Sequence, residues 1–246
     1  MKGSNIDKSS PVPIYYQIKE FYKEKIENGN LEPHQRLPSE RELEKRYEIS
    51  RMTARRALTE LESEGYAYRE QGKGSYVAEP KLHQALLELT GFTTDMKKRR
   101  MSPGARVLEQ KLIKCDEELA KKLNAESNEK IFVLQRVRLA EEEPLAIEKT
   151  HLRHKLCRGI EEYDFQDRSL YSTLREDFGM NLSWAEQSVE ATLADEYKAE
   201  QLGVDKGSPM LMTERTTYIG DEETPIEYAH STYRGDRYKL FVELRS

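Results

Sequence analysis

Residues 37–77 read LPSERELEKRYEISRMTARRALTELESEGYAYREQGKGSYV. Ser39 with Glu42 three positions on is a capping box, so a helix starts there and carries Leu43 and Tyr47. Ile49-Ser50 is a turn, and Ser50 caps a further helix from Arg51 to about Glu64. Ala54, Ala57, Leu58 and Leu61 are its apolar face, while Arg51, Met52, Thr53, Arg55 and Arg56 begin the other. Gly65 stops it. Tyr66–Arg69 and Ser75–Val77 then read as strands, joined by the tight turn Gln71-Gly72-Lys73-Gly74. Upstream, Pro13 opens an amphipathic helix carrying Ile14, Ile18, Phe21, Tyr22 and Ile26, which Asn28-Gly29-Asn30 ends.

Helix, helix, turn, helix, β-hairpin is a winged helix-turn-helix, and its chemistry suits DNA. A helix N-terminus favours phosphate. Arginines on the first turn can reach guanine O6 and N7 in the major groove. A Gly-Lys-Gly turn lets backbone approach the sugar-phosphate or minor groove, with Lys73 neutralising phosphate. A charge run alone is more often a solvated helix face. Here the arginines fall at the start of the third helix and the hairpin tip is basic too, which favours DNA.

The 246-residue length allows one or two domains, each with its own core. Charged residues make up 35%, and 14 Tyr, 6 Phe and 1 Trp argue against full disorder. No apolar run is long enough for a membrane span, and the N-terminus has no apolar secretory stretch. Cys115 and Cys157 form no CxxC spacing; they suggest neither a disulfide scaffold nor a zinc site and fit a reducing cytoplasm. The net charge of −5 resides wholly beyond residue 80, because residues 1–80 hold 14 basic and 14 acidic side chains. Local patches, not whole-chain charge, decide nucleic-acid binding.

The expected division is a DNA-binding domain over 1–78, a linker over 79–87 and an effector domain over 88–246. Residues 82–90 read as weakly helical, and 91–104 as a polar loop containing the basic run Lys97–Arg100. A repeat follows. Shifted by 79 positions, Asp116-Glu117 falls on Asp195-Glu196, Ala120 on Ala199, Leu123 on Leu202, Arg136 on Arg215, Ile147-Glu148 on Ile226-Glu227 and His151 on His230. Each copy reads as a capped helix, a strand, an acidic turn (Glu141–Glu143, Gly220-Asp221) and a returning strand. Two such units predict one antiparallel sheet with helices against it, in approximate two-fold arrangement.

Alternation puts Phe132, Leu134, Arg136 and Arg138 on one strand face and Ile131, Val133, Val137 and Leu139 on the other. Both faces are apolar, so the strand is expected to be buried on both sides. Two arginines about 7 Å apart on such a face are costly unless an anion meets them. Glu148 and Glu227 on the returning strands could complete a pocket with two cations and two carboxylates. Internal salt bridges across each hairpin, Arg136 with Glu148 and Arg215 with Glu227, account for the pattern as well, although they leave Arg138 unexplained.

Residues 13–77 resemble the DNA-binding domain of GntR-type bacterial transcription regulators. The resemblance rests on Leu37–Leu43, Ser50–Leu58, Gly65-Tyr66 and Gln71–Gly74. It implies DNA contacts by Arg41, Arg51 and Arg55, with Ser50, Thr53 and Gly72 on the backbone or groove; Arg56 and Lys73 join them as basic candidates. Gly91-Phe92-Thr93, Arg136-Val137-Arg138, Ala146-Ile147-Glu148, Ser169-Leu170-Tyr171, Glu214-Arg215, Pro225-Ile226-Glu227 and Tyr233–Tyr238 resemble the effector domain of the HutC subfamily. That domain is called UTRA and has a chorismate-lyase-like fold. The implied class is α+β: an N-terminal winged helix-turn-helix and a C-terminal antiparallel sheet with helices.

Within the subfamily the chain looks similar to repressors of N-acetylglucosamine utilisation, which respond to amino-sugar phosphates. That resemblance implies Thr93, Arg136, Arg138, Ser169 and Tyr171 on a phosphate and Glu148, Glu227 and Tyr233 on the sugar. Ser169 and Tyr171 begin an amphipathic helix, and helix N-termini favour anions. The expected protein is a cytoplasmic homodimer that binds double-stranded operator DNA under control of a small anionic effector, with no cofactor, metal or membrane. A carboxylate or other non-sugar anion is the alternative effector. A lyase-like enzyme is the remote alternative, since no nucleophile–base set stands out and His151-Leu152-Arg153-His154 lacks the spacing of a helical zinc pair.

Overall fold

The computed structural model describes residues 6–79, 81–85, 88–220 and 224–242. The chain divides into two compact units, Met1–Lys81 and Leu82–Ser246.

In the first unit, helix α1 spans Ile14–Glu27, α2 Glu40–Tyr47 and α3 Arg51–Ser63, followed by strands β1 (Ala67–Glu70) and β2 (Gly74–Val77). Local chemistry sets these boundaries. The Ser39 hydroxyl accepts from the Glu42 amide while the Glu42 carboxylate accepts from the Ser39 amide, completing the expected capping box. The Ser50 hydroxyl accepts from the Thr53 amide at 3.2 Å, so α3 begins at Arg51. Ile18 and Tyr22 of α1 pack with Leu43 of α2 and with Ala54, Ala57, Leu58 and Leu61 of α3. Val77 and Ala67 fix the antiparallel hairpin to the same core. Gly72 turns its tip at φ +76°, a left-handed conformation that suits glycine.

In the second unit the strands are β3 (Leu82–Ala85), β4 (Pro103–Lys114), β5 (Lys130–Ala140), β6 (Glu143–Arg153), β7 (Leu182–Leu193), β8 (Pro209–Ile219), β9 (Thr224–Arg234) and β10 (Tyr238–Phe241). Its helices are α4 (Phe92–Lys98), α5 (Glu117–Leu123), α6 (Leu170–Glu176) and α7 (Glu196–Leu202). Among the described residues, six strands form one antiparallel sheet in the order β4-β5-β6-β9-β8-β7. That order is symmetric about the β6–β9 pair, so the repeat is an approximate two-fold as expected. Asp116 and Asp195 cap α5 and α7 in the equivalent places.

The two sheet faces are covered differently. Ile131, Val133 and Val137 meet α5 and α7 through Leu119, Leu123, Ala199 and Leu202. Phe132 and Leu134 lie in a core with Phe165 and with Leu170, Tyr171 and Leu174 of α6. Phe92 and Met96 of α4 pack with Tyr233 and Tyr238. The polar part of this second face, from Arg136 to Arg138 along β5, lies between those apolar clusters.

Four features differ from the sequence reading. Leu82–Ala85, read as linker and weakly helical, is a strand paired in parallel with Tyr238–Phe241. Its partner lies more than 150 residues away in the chain, and local periodicity carries no trace of such a pairing. Of that linker, Pro80, Leu86 and Leu87 lie outside the described residues. The polar loop over 91–104 contains α4. Each repeat also gains a leading edge strand, β4 or β7, that the sequence reading lacked.

The fourth difference is one of register. In the first hairpin Ala140 faces Glu143, so two residues turn the chain; in the second Ile219 faces Thr224, so four do. Asp221 of the expected turn lies outside the described residues. The longer turn slides the returning strand by two positions. Arg136 therefore faces Glu148, whereas Arg215 faces Ala229 and Glu227 faces Thr217. The matching Ile-Glu pairs of the two copies are not structurally equivalent.

Candidate DNA interface and effector cavity

The basic residues expected on DNA, with Arg69 beside them, are held in four ways. Arg41 and Arg55 are exposed and have no side-chain partner among the described residues. Arg51 donates from Nε to Glu40 Oε2 at 2.9 Å, and Arg69 donates to Glu40 Oε1 at 3.2 Å. One carboxylate thus aims two guanidinium groups, and its hydrogen bond from Arg51 holds its pKa below the usual carboxylate range despite partial burial. Arg56 lies flat on Tyr15, 3.8 Å from the ring centroid, and donates to its hydroxyl at 3.1 Å. Lys73 at the hairpin tip pairs with Glu70 at 2.9 Å in the open. Ser50 and Thr53 are joined through their hydroxyls at 2.8 Å beside the start of α3. A groove lined by Ser39, Arg41, Arg51, Arg69 and Gly74 runs along this surface.

In the second unit a cavity opens between the sheet and helices α4 and α6. All eight residues expected at the effector site line it: Thr93, Arg136, Arg138, Glu148, Ser169, Tyr171, Glu227 and Tyr233. About 670 Å³ of space, open solvent at its mouth included, lies between its walls. Arg136 and Arg138 are each 3% exposed. Arg136 donates from Nη2 to Glu148 Oε1 at 2.6 Å and from Nη1 to the Arg168 carbonyl at 3.4 Å. Arg138 donates from Nη2 to Thr93 Oγ1 at 2.9 Å, while its Nε and Nη1 have no partner among the described residues. Burial, reinforced by repulsion from Arg136, pulls the Arg138 guanidinium down to about 10.

The far wall is organised around a carboxyl group. Glu227 Oε2 accepts from the Tyr171 hydroxyl at 2.6 Å and from Thr217 Oγ1 at 2.7 Å. Burial raises its pKa above the ordinary carboxylate value against those hydrogen bonds. Burial opposes ionisation of Glu148 too, but Arg136 and Arg138 outweigh it and hold that carboxyl low. The cavity therefore holds one firmly ionised acid beside the arginines and one acid biased toward its neutral form. Ser169 caps α6, its hydroxyl accepting from the Ser172 amide at 3.3 Å.

The two internal salt bridges allowed by the sequence thus divide. The Arg136–Glu148 pair is formed. Arg215 instead donates from Nε to Gln187 Oε1 at 2.8 Å and lies 3.5 Å from the Tyr171 hydroxyl. Arg215 lines the cavity as a third basic wall, together with Asp95, Arg99, Thr213 and Tyr238, which the sequence reading did not place there, and with Ser231, which alternation along β9 puts on the face of Glu227 and Tyr233. Strand alternation with the β5 arginines could have found Thr213 had the register been known. Arg99 belongs to the basic run Lys97–Arg100 and Tyr238 to the stretch that resembles the effector domain, but nothing local aims either at the cavity, and Asp95 of α4 has no sequence signal.

Comparison with known proteins gives this geometry a family. A model described as bacterial regulatory proteins, gntR family, matches residues 14–77, and one described as UTRA domain matches 98–239. The HTH-type transcriptional repressor NagR of Bacillus subtilis (strain 168) is 46% identical over 95% of this chain and 96% of its own length. The histidine utilization repressor of Pseudomonas putida is 30% identical over 94% of this chain and 91% of its own. The crystal structure of PhnF from Mycobacterium smegmatis matches with a TM-score of 0.68 at 27% identity, covering 93% of this chain and 99% of that one. A helix-turn-helix with a basic α3, joined to a sheet that encloses a polar cavity, thus places the chain in the GntR family of DNA-binding transcription regulators, in the group whose second domain is UTRA.

Proposed function

We propose that this protein is a cytoplasmic repressor whose grip on its operator is released by a small anionic effector, a phosphorylated amino sugar, held in the cavity of the second unit. The observation that carries the reading is Arg138. Its guanidinium is 3% exposed, faces no carboxylate among the described residues and leaves two N–H-bearing nitrogens unbonded. Leaving such a charge unmet costs several kcal/mol, and a phosphate supplies both the countercharge and the acceptors. Thr93, Arg136, Arg138 and Ser169 surround the phosphate in this reading. Glu148 takes the amino group, and Glu227, Tyr171 and Tyr233 take sugar hydroxyls. The likeness to a NagR repressor favours sugar-linked control.

On the DNA side, two copies of the chain present two α3 helices to successive major grooves of a palindromic operator. Arg41, Arg51 and Arg55 read bases or phosphates. Ser50, Thr53 and Gly72 approach the backbone, and Arg56 and Lys73 add charge. By linkage, operator and effector weaken each other by the same factor.

The test is operator affinity of the full-length protein measured with and without glucosamine 6-phosphate at fixed salt. Weakened operator binding is expected. No change with glucosamine 6-phosphate, together with a shift by a small carboxylic acid, would assign the cavity to a carboxylate; no change with any anion would remove the switch.

A further inference from the structure

One wall of the cavity belongs to neither the six-stranded sheet nor the helices over it. Tyr238 is the first residue of β10, 4% exposed, and its ring rests on Tyr233 with centroids 4.7 Å apart. Both tyrosines line the cavity. The Tyr238 hydroxyl is buried and has no hydrogen-bond partner among the described residues. A buried phenol without a partner costs roughly 1–3 kcal/mol, so a role in packing alone would be served better by Phe. Burial also holds the phenol protonated, so it stands ready to donate.

The backbone of the same residue is tied to the start of the second unit. Tyr238 pairs with Leu82 in the parallel β3–β10 ribbon, and the Leu82 amide donates to the Arg237 carbonyl at 2.7 Å. Leu82 directly follows Lys81, the last residue of the first unit. The ribbon is a separate two-stranded sheet. Its upstream end is anchored. Gly235 turns the chain out of β9 against Pro209, whose carbonyl oxygen would stand 2.7 Å from any added Cβ. Arg234 bonds Asp236 and Glu143, and Arg237 bonds Glu143. Tyr238 is thus joined through the backbone of β10 to Leu82 at the start of the second unit.

We propose that the Tyr238 hydroxyl is a further effector contact, donating to an acceptor oxygen of the bound anion, and that through it occupancy of the cavity sets the position of the β3–β10 ribbon from which the DNA-binding unit is hung. This rests on the effector reading of the cavity and adds to it the residue that transmits occupancy.

The test uses full-length Tyr238→Phe beside the unaltered protein, with glucosamine 6-phosphate as probe. Three quantities are measured: probe affinity by calorimetry, operator affinity without probe, and operator affinity at saturating probe. The variant is expected to fold with an unchanged or higher melting temperature, because it loses no internal hydrogen bond. Probe affinity should fall about tenfold, the size of one hydrogen bond to a charged group. Operator affinity without probe should stay within twofold, and the loss of operator affinity at saturating probe should shrink at least threefold. Probe affinity within twofold of the unaltered protein overturns the contact. Weakened probe binding with undiminished operator release at saturation overturns the transmission. If the unaltered protein binds no sugar phosphate, the effector reading itself fails and this inference falls with it.

Discussion

Arg136 and Arg138 stand two residues apart on the same face of β5, and among the described residues only Arg136 meets a carboxylate. Equal burial thus conceals opposite electrostatic situations, and the two positions should respond differently to substitution.

Arg138→Met should stabilise the ligand-free protein. Burial, with repulsion from Arg136, pulls the guanidinium's folded-state pKa down to about 10, below its ordinary value, so the charged form is penalised. The sign follows: the penalty is complete at every pH below about 10 and fades only as pH rises from there toward the unfolded value. At pH 7.5 its removal should be worth about 1–2 kcal/mol, a rise of several degrees in melting temperature. The stabilisation conferred by millimolar glucosamine 6-phosphate on the unaltered protein should vanish in the variant. Thermal melts with and without the sugar phosphate check both; a lower melting temperature in the free variant would contradict the unmet charge.

Arg136→Ala should do the reverse. It removes the 2.6 Å partner of Glu148 and leaves a carboxylate in a poorly hydrated site, at a cost of about 3 kcal/mol. Arg138 remains nearby and softens the loss. Adding Glu148→Gln should recover at least ~1 kcal/mol, since the stranded charge is then gone. Denaturant midpoints of the two single variants and the double variant complete the cycle. Operator binding below the melting temperature should persist in Arg136→Ala while its response to effector is lost.

The parts of this structure that the sequence disclosed are those set by near neighbours. Ser39 with Glu42, Ser50 with Thr53 and the Gly72 turn are decided within four residues, and each lies where expected. Alternation along β5 fixed the face shared by Arg136 and Arg138, because a strand has only two faces. What failed was distance along the chain. Two extra residues in the second hairpin turn put Arg215 opposite Ala229, and no feature of Arg215 or Glu227 announces it. The β3–β10 pairing joins residues near 82 to residues near 238, so Tyr238 entered the cavity without local warning. The family resemblance supplied Thr93, Ser169 and Tyr171, which periodicity alone would have left as loop and helix residues.

Glu227 offers a test of pH. Burial lifts its folded-state pKa above the unfolded value near 4.5. A carboxyl raised in this way binds its proton more tightly when folded, so its contribution to stability falls as pH climbs from the unfolded value through the folded one, and the penalty is complete beyond it. Glu227→Gln keeps an oxygen for the Tyr171 and Thr217 hydroxyls and never ionises. The variant's melting temperature relative to the unaltered protein should therefore be higher at pH 8 than at pH 4.5. Paired melts across that range check the slope, and a difference that shrinks with rising pH would show that Glu227 is stabilised as the anion.

The arginines of the first unit should separate by how they are held. Arg55 is exposed and has no side-chain partner among the described residues, so Arg55→Ala should leave the stability of the free protein nearly unchanged but cost about 1–3 kcal/mol in operator binding if it reads a base. Arg51 is aimed by Glu40, which also holds Arg69; Glu40→Gln weakens that aim and should reduce affinity less than Arg51→Ala does. Arg56 is already engaged with Tyr15 through its ring face and hydroxyl, so Arg56→Ala should change operator affinity less than about threefold while losing some stability from the stacked pair. Lys73 on the hairpin tip contacts phosphate in this scheme, so Lys73→Ala should weaken all duplexes alike and reduce the slope of log affinity against log salt by about one. Fluorescence anisotropy with operator and scrambled duplexes at several salt concentrations measures each of these. Equal losses on both duplexes for Arg55→Ala would move that residue from base recognition to phosphate contact.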